Sequence, residues 1–352
     1  MRPEVILAIE SSCDETAVAA VDSCGRVLTQ HMSSQIAEHN RFGGVVPEVA
    51  ARSHFRELDG LVETCLKDLS GCEVRAVAAT TGPGLIGPLL VGAQYARGLA
   101  RGWNKAFIGV HHLRGHLASV LVERDMARFL KDQAGEVFPA LVLLVSGGHT
   151  QVLRVESNLW AQSLATTADD SAGECFDKSA KIMGLAYPGG PEIERCAQRA
   201  HDVSRADELF RSLPLSKSAQ GFSFSGLKTA IRLKIEQNPE LKADPAMCFA
   251  IQRRIGQTLE RGLLQACPEV DPSLKRLIFC GGVSANQYLR QHFEGLARRM
   301  GLEALFPPLR FATDNAAMIA AAAWVQDDKL HMPDVIARRP LNPDTPGSGV
   351  AP

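Results

Sequence analysis

The chain has 352 residues, 45% of them hydrophobic and 22% charged, with a formal net charge of -1. That length supports two lobes with cores of their own, and the composition is that of a globular protein, excluding a low-complexity or fibrous chain. The near-zero charge excludes nucleic-acid binding by bulk electrostatics, so any such binding rests on a local patch.

Nine cysteines, scattered and without a C-x-x-C pair, suit reduced thiols better than a disulfide framework and point to a cytoplasmic protein. The apolar run at residues 5–9 follows Glu4 and is too short for a signal peptide. No apolar stretch reaches the length of a membrane span, so no membrane partner is expected.

Residues 5–9 read as a buried strand, followed by the polar turn Glu10-Ser-Ser-Cys-Asp-Glu-Thr16, a second strand at 17–21 and a third near 26–29. Beyond Glu10, the turn carries the carboxylate pair Asp14 and Glu15. Solvation alone accounts for them; placing a metal- or water-holding carboxylate between two strands does so equally. A glycine-rich loop at 41–46 then enters a helix at Pro47 that runs to about residue 69. Next come a strand at 76–79, the turn Thr80-Thr-Gly-Pro-Gly-Leu-Ile-Gly-Pro88 and a small-residue helix. Strand, glycine turn and helix make either a backbone-amide anion site or a close helix–strand contact.

The strand at 107–110 leads into His111-His-Leu-Arg-Gly-His116. On a helix, His112 and His116 share one face with Cβ atoms about 5–6 Å apart. Two readings stay open: a pair of half-buried histidines, or two imidazoles sharing a metal with a third ligand from elsewhere.

Beyond a polar stretch at 123–136 the opening pattern returns. A strand at 139–145, the turn Ser146-Gly-Gly-His-Thr150 and a strand at 151–155 match the layout of residues 5–21. The repetition predicts a duplicated two-lobed α/β fold with a nucleotide cleft. Gly147 and Gly148 let backbone N–H groups approach a phosphate.

Asp169 and Asp170 open the next helix as caps, whereas Asp177 lies too far inside it for that role. Residues 192–244 read as a helical insertion, with Phe222 and Phe224 as core or as stacking platforms. A strand at 276–280 and the loop Gly281-Gly-Val-Ser-Ala-Asn286 repeat the nucleotide pattern, Asn286 being either a cap or a base or sugar contact. Phe311-Ala-Thr-Asp314-Asn315 opens an Ala-rich helix, with Asp314 as N-cap or ligand.

Taken together, Ile9-Glu-Ser-Ser-Cys-Asp-Glu-Thr16, Gly43-Gly-Val-Val-Pro-Glu48, Thr81-Gly-Pro-Gly84, His111-His-x-x-Gly-His116, Leu144-Val-Ser-Gly-Gly-His-Thr150, Phe176-Asp-Lys178, Tyr187-Pro-Gly-Gly-Pro191, Phe222-Ser-Phe-Ser-Gly-Leu-Lys-Thr229, Gly281-Gly-Val-Ser-Ala-Asn286 and Thr313-Asp-Asn315 closely resemble the TsaD family. Each motif is modest alone. Their joint order from residue 5 to about 325 is specific. Ser11, where many members have Thr, and Ala312, where many have Cys, depart from the pattern without removing a ligand.

The resemblance implies an actin/Hsp70/sugar-kinase-like (ASKHA) fold with an interlobe nucleotide cleft. An N-terminal lobe, 1–110, is completed by a C-terminal helix at 315–338. A second lobe, 111–314, contains the insertion, and a flexible tail spans 339–352. The implied activity is transfer of threonylcarbamoyl from threonylcarbamoyl-adenylate to N6 of adenosine 37 of tRNAs that read codons beginning with A, releasing AMP.

His112, His116 and Asp314 are the implied ligands of a divalent metal, Fe(2+) with Zn(2+) or Mg(2+) as alternatives. Leu144, Val145, Ser146, Gly147, Gly148, Asp177, Gly190 and Asn286 are the implied substrate contacts, and Asp14 or Glu15 is the candidate proton acceptor. The implied partners are the tRNA anticodon loop, a TsaB-like paralogue and a TsaE-like ATPase. Arg97, Arg101, Lys217, Lys228, Arg253 and Arg254 are candidate tRNA contacts. A metal-dependent glycoprotein endopeptidase, the family's older name, lacks support because no Glu follows His112 as in H-E-x-x-H. A non-catalytic nucleotide-binding scaffold is the other alternative, and the intact histidines oppose it.

Overall fold

Strand-forming apolar runs and helix-forming ones build, in the computed structural model, two mixed sheets with helices packed on them. The structure describes residues 2–40, 42, 44–124, 126, 137–215, 221–326, 334–338 and 341. In chain order, β1 (Glu4–Glu10), β2 (Glu15–Asp22), β3 (Val27–Ser34), α1 (Ile36–Asn40), α2 (Pro47–Asp68), β4 (Glu73–Gly82), α3 (Ile86–Gly102), β5 (Ala106–His111) and α4 (His112–Ala118) come first. Then follow β6 (Ala140–Val145), β7 (Thr150–Val155), β8 (Ala161–Thr167), α5 (Ala172–Met183), α6 (Gly189–Ala197), α7 (Val203–Ser212), β9 (Gly221–Phe222), α8 (Ser225–Gln237) and α9 (Pro245–Ala266). The last third supplies β10 (Arg276–Cys280), α10 (Gln287–Arg299), β11 (Glu303–Leu305) and α11 (Ala316–Val325).

The first sheet has the order β3-β2-β1-β4-β5. Its β1–β2 and β2–β3 pairs are antiparallel, and β4 runs parallel to both β1 and β5. The second sheet runs β11-β10-β6-β7-β8-β9, with β10 parallel to β6 and to β11. Read from its other edge, β8-β7-β6-β10-β11 repeats the order of the first sheet, so the duplication expected from the repeated strand, turn and strand is present. Parallel strands need crossover helices to cover them, which explains why β1, β4, β6 and β10 are almost wholly apolar.

Two compact units result, one of residues Met1–Phe138, Val155–Ala161 and Pro307–Pro352, the other of Pro139–Arg154 and Gln162–Phe306. A lobe boundary at 110/111 and a second at 314 do not match this division. The helix α4 continues directly from β5 and packs on α11, which draws the residues after 110 into the first unit.

Residues 192–244 comprise most of α6, α7 and α8, with the two-residue strand β9 between the last two. Strand β9 joins the second sheet beside β8, and Leu209, Leu227, Ile231 and Ile235 sit in that unit's core cluster. Phe222 and Phe224 are likewise core, both fully buried.

A helix through 338 is not observed: α11 ends at Val325, and residues 334–338 run along the β4–α3 loop. There Ile336 N donates to Thr81 O at 2.9 Å and Gly84 N donates to Ala337 O at 3.1 Å. Of the segment 339–352 read as a tail, all but Leu341 lies outside the described residues, as do Gly43 and Lys217.

Candidate active site

In the first unit, β5 delivers the histidine pair. His111 closes the strand and caps α4, its Nδ1 accepting from Leu113 N at 3.2 Å. One turn of helix then stacks His112 and His116, whose ring centroids are 4.8 Å apart at an interplanar angle of 77°. Between them Gly115 removes a side chain where α4 meets α11: a Cβ there would lie 2.7 Å from Ile319 Cδ1 and 3.2 Å from Met318 Cγ. That close approach brings in residue 314.

The cap of α11 is Asn315, whose side chain accepts from Met318 N at 2.9 Å. Asp314 is therefore not spent on capping, and its Oδ1 lies 3.2 Å from His116 Nε2 and 3.5 Å from His112 Nε2. Among the described residues, ligand atoms of these three side chains fall within 4.8 Å of one another.

This donor set fits a divalent cation. Both ring nitrogens of His116 are buried without a hydrogen-bond partner, a costly arrangement that a coordinated ion relieves at one of them. Two of the three spacings, 3.2 and 3.5 Å from Asp314 to the imidazoles, are near the edge of about 3.3 Å between ligand atoms around a tetrahedral ion with bonds of about 2.0 Å. Two imidazoles and a carboxylate favour Fe(2+) or Zn(2+) over Mg(2+), which prefers all-oxygen surroundings.

Behind His112 stands Glu10, a residue the sequence reading passed over. Its Oε2 is 3.2 Å from His112 Nδ1, Thr80 Oγ1 donates to that same oxygen at 2.5 Å, and Ser12 N donates to Oε1 at 2.6 Å. Ser12 Oγ also lies 3.2 Å from His112 Nδ1. Such a carboxylate–imidazole contact fixes the tautomer that leaves Nε2 free to ligate.

Burial alone would lower the His112 pKa, but the charges of Asp314 and Glu10 outweigh it and raise it to about 9. For Glu10, burial pushes upward and the neighbouring His112 pulls the carboxyl below its ordinary value. Glu10→Gln keeps the shape and removes the charge. It is expected to weaken metal affinity about 10- to 100-fold in a chelator-competition titration, and unchanged affinity would show that Glu10 has no hold on His112.

Asp14 and Glu15 sit at the start of β2 in the same unit. Burial first, then the charges of Asp14 and Asp314, push the Glu15 carboxyl well above the ordinary range. Burial and the charge of Asp14 push the Cys13 thiol up, which disfavours its thiolate.

In the second unit, Leu144 and Val145 are fully buried at the end of β6, so a ligand can meet them only through backbone. Gly147 and Gly148 are exposed, with nothing within 4 Å of the position of an added Cβ. Ser146 N bonds to His149 O at 2.8 Å. The neighbouring Gly281 requires glycine: its φ is +90° and a Cβ would lie 2.4 Å from Val145 O.

Asp177 Oδ1 accepts from Gly189 N at 2.7 Å, tying α5 to the start of α6 beside Gly190. Asn286 caps α10 by accepting from Leu289 N at 2.9 Å and donates to Gln252 Oε1 at 2.7 Å. One amide hydrogen of Asn286 is left over.

Asp169 and Asp170 do not cap α5. Ser171 and Glu174 form a capping box there, while Asp169 accepts from Ser223 Oγ (2.6 Å), Phe224 N (2.7 Å) and Ser225 Oγ (2.7 Å). Asp170 pairs with Lys178 and Lys228 at 2.5 and 2.8 Å. These carboxylates clasp the segment 222–228.

Burial opposes ionisation of Asp169, but the three donors outweigh it and lower its pKa. The clasp is therefore complete above the ordinary aspartate value and is lost as pH falls through the lowered one. Hydrogen exchange at Phe224 N is expected to accelerate below about pH 4, and a pH-independent protection factor would contradict this. Of the candidate tRNA contacts, Lys228 is held by Asp170, Arg253 pairs with Asp207 and lies over Phe210, and Arg254 is buried. Arg97 lies over the Phe107 ring.

The family model for TsaD, tRNA N6-adenosine threonylcarbamoyltransferase, matches residues 26–321. Relatives carrying that name include those of Carboxydothermus hydrogenoformans (42% identical, covering 91% of this chain and 92% of the relative), Bordetella avium (46%, 91% and 90%) and Rhodospirillum rubrum (42%, 98% and 96%).

Among solved structures, component A of (R)-2-hydroxyglutaryl-CoA dehydratase from Acidaminococcus fermentans is similar at a TM-score of 0.50 and 13% identity. The match covers 92% of this chain and 98% of that one, a likeness of fold alone. The α/β fold of two like-ordered sheets is thus one that this dehydratase component shares, and neither the endopeptidase nor the scaffold reading gains support. The chain belongs to the TsaD family of tRNA N6-adenosine threonylcarbamoyltransferases and is by that membership a transferase.

Proposed function

We propose that this chain transfers the threonylcarbamoyl group from threonylcarbamoyl-adenylate to N6 of adenosine 37 in tRNAs that read codons beginning with A, releasing AMP. The observation that carries the site assignment is the meeting of His112, His116 and Asp314, with the His116 nitrogens buried and otherwise unsatisfied.

The N6 lone pair is delocalised into the purine, so the amine attacks the carbamoyl carbon only with help from positioning and a good leaving group. As the new C–N bond forms, the C–O bond to the phosphate breaks and AMP departs. The amine proton passes to a carboxylate of the turn at 14–15, or to water held by it. Burial and the neighbouring carboxylates raise the proton affinity of Glu15, which suits a group that takes up a proton. Gly147 and Gly148 offer open backbone to the adenylate phosphate, and Asp177, Gly190 and Asn286 line its nucleoside side. His112, His116 and Asp314 would hold the ion, Fe(2+) or Zn(2+) by donor preference; when bound it supplies a Lewis acid for the carbamoyl group. The target base lies in a single-stranded loop, so little unpairing is needed.

Partners fit the first unit: Phe55, Ile86 and Leu90 are exposed apolar residues on the packed pair α2 and α3, suited to a TsaB-like paralogue, with a TsaE-like ATPase completing the assembly. A reducing cytoplasm agrees with nine cysteines free of disulfides, and among the described residues no helix is long and apolar enough to cross a membrane.

The test supplies the adenylate as sole donor, with unmodified tRNA and the partner proteins, and reads nucleosides by mass spectrometry. Threonylcarbamoyladenosine and AMP are expected in equal amounts. AMP without modified nucleoside would mean hydrolysis and overturn the assignment.

A further inference from the structure

We infer that His54 is a positioning residue for this transfer, holding the turn at 13–15 through a one-way chain of hydrogen bonds that starts at the loop preceding α2. The inference rests on the reading of that turn as the proton-accepting element.

The direction of the chain follows from its two ends. The backbone N–H of Val46 can only donate, and it reaches His39 Nδ1 at 3.3 Å, so the His39 proton resides on Nε2. That nitrogen faces Gln35 Oε1 at 3.2 Å. The amide nitrogen of Gln35 can then only donate, and it faces Thr16 Oγ1 at 3.4 Å and His54 Nδ1 at 3.3 Å. Thr16 Oγ1 also lies 2.7 Å from His54 Nδ1. With Nδ1 accepting, His54 carries its proton on Nε2, which points at the Cys13 carbonyl at 3.0 Å. A carbonyl can only accept, so the tautomers deduced from the Val46 end agree with what the Cys13 end demands.

Thr16, His39 and His54 are fully buried and Gln35 nearly so. Away from water such a chain has one satisfied arrangement, and breaking it strands buried donors. The next carbonyl, Asp14 O, accepts from Gln35 N at 3.0 Å. Two consecutive carbonyls are thus pinned, which fixes the backbone that aims Asp14 and Glu15. Burial also pushes the His54 pKa below its ordinary value, keeping the imidazole neutral as the chain requires. These residues lie on β2, at the start of α1, on α1 and on α2 and are not the ligands His112, His116 and Asp314; their task is to hold the backbone of the turn.

The experiment compares wild type, His54→Leu and His54→Gln as full-length chains in the reconstituted transfer assay. Leu fills the volume without a donor, whereas Gln returns an N–H near the place of Nε2. Expected for His54→Leu is a kcat lowered about 10- to 100-fold, with donor KM and bound metal changed less than about twofold and most of the loss recovered in His54→Gln. Should the Leu chain not fold, His54→Asn replaces it, since its amide sits near Nδ1 and leaves Cys13 O unpaired.

Wild-type kcat in the donor-less variant would overturn the inference. So would a parallel fall in kcat, metal content and melting temperature with no advantage for Gln, the signature of a merely structural role. Asp14→Asn and Glu15→Gln, run alongside, separate the two ideas. If both turn over like wild type, the carboxylate reading fails, while a low kcat rescued by Gln at position 54 still establishes the positioning role.

Discussion

Replacing His116 with Ala is expected to abolish metal binding and, with it, transfer, while leaving the fold in place. His116 is fully buried, yet its nitrogens take no hydrogen bond from the protein, so truncation strands no partner except Asp314, which is partly exposed. The stability cost is therefore that of a modest cavity, about 1–2 kcal/mol. The functional cost is larger. Loss of an outer partner of a metal ligand costs about 10- to 100-fold, and loss of the ligand itself about 100-fold or more. Elemental analysis of the purified variant and the rate of threonylcarbamoyladenosine formation check both parts. A variant that keeps its metal and turns over normally would remove His116 from the site. Asp314→Ala is expected to behave alike, because Asn315 and not Asp314 caps α11.

A second large effect is expected at Gly115, which touches no substrate. A Cβ there meets Ile319 Cδ1 at 2.7 Å and Met318 Cγ at 3.2 Å. Alanine is nearly neutral, since the nearest atom is the terminal Cδ1 of Ile319, Met318 Cγ need give by only a few tenths of an ångström, and a helix interior gains from losing a glycine. Leucine cannot be accommodated so cheaply. Forcing extra methylenes into the α4–α11 contact costs about 1–3 kcal/mol and shifts the start of α11, where Asp314 sits, away from the imidazole pair. Gly115→Leu is accordingly expected to melt several degrees lower and to bind the divalent ion at least tenfold more weakly (about 1.4 kcal/mol), whereas Gly115→Ala does neither. Metal affinity by chelator competition checks this. Equal affinity in Gly115→Leu would mean that helix spacing does not place the aspartate.

These residues also show which parts of the molecule were legible before the structure. His112 and His116 were, because helical periodicity is local: four residues apart on one short helix, they share a face whatever the rest of the chain does. The duplication was legible too, since the strand, turn and strand pattern repeats and strand order follows from it. Asp314 was ambiguous on its own. A carboxylate just before an Ala-rich helix reads as a cap until the neighbouring Asn315 is seen to take that bond, and only the family resemblance singled it out.

Glu10 was invisible for another reason. A charged residue ending an apolar strand looks like the point where the chain reaches solvent, and nothing in the sequence says that β1 lies beside β4 so that Thr80 and His112 close over its carboxylate. The reach of the first unit past residue 110 was hidden likewise, because it depends on α4 packing against a helix from the far end of the chain. Asp169 and Asp170 were misread as caps by two residues and one. Hydroxyl and carboxyl groups adjoin at 169–171, any of them a fair cap, and the donors at 223–225 that claim Asp169 are distant in sequence.

Anomalous diffraction from crystals grown with the loaded ion, recorded on both sides of its absorption edge, tests the site most directly. The expected result is one strong peak about 2.0–2.2 Å from His112 Nε2, His116 Nε2 and an Asp314 carboxylate oxygen. A fully loaded protein whose anomalous peak lies elsewhere, or that shows none among these three side chains, would contradict it.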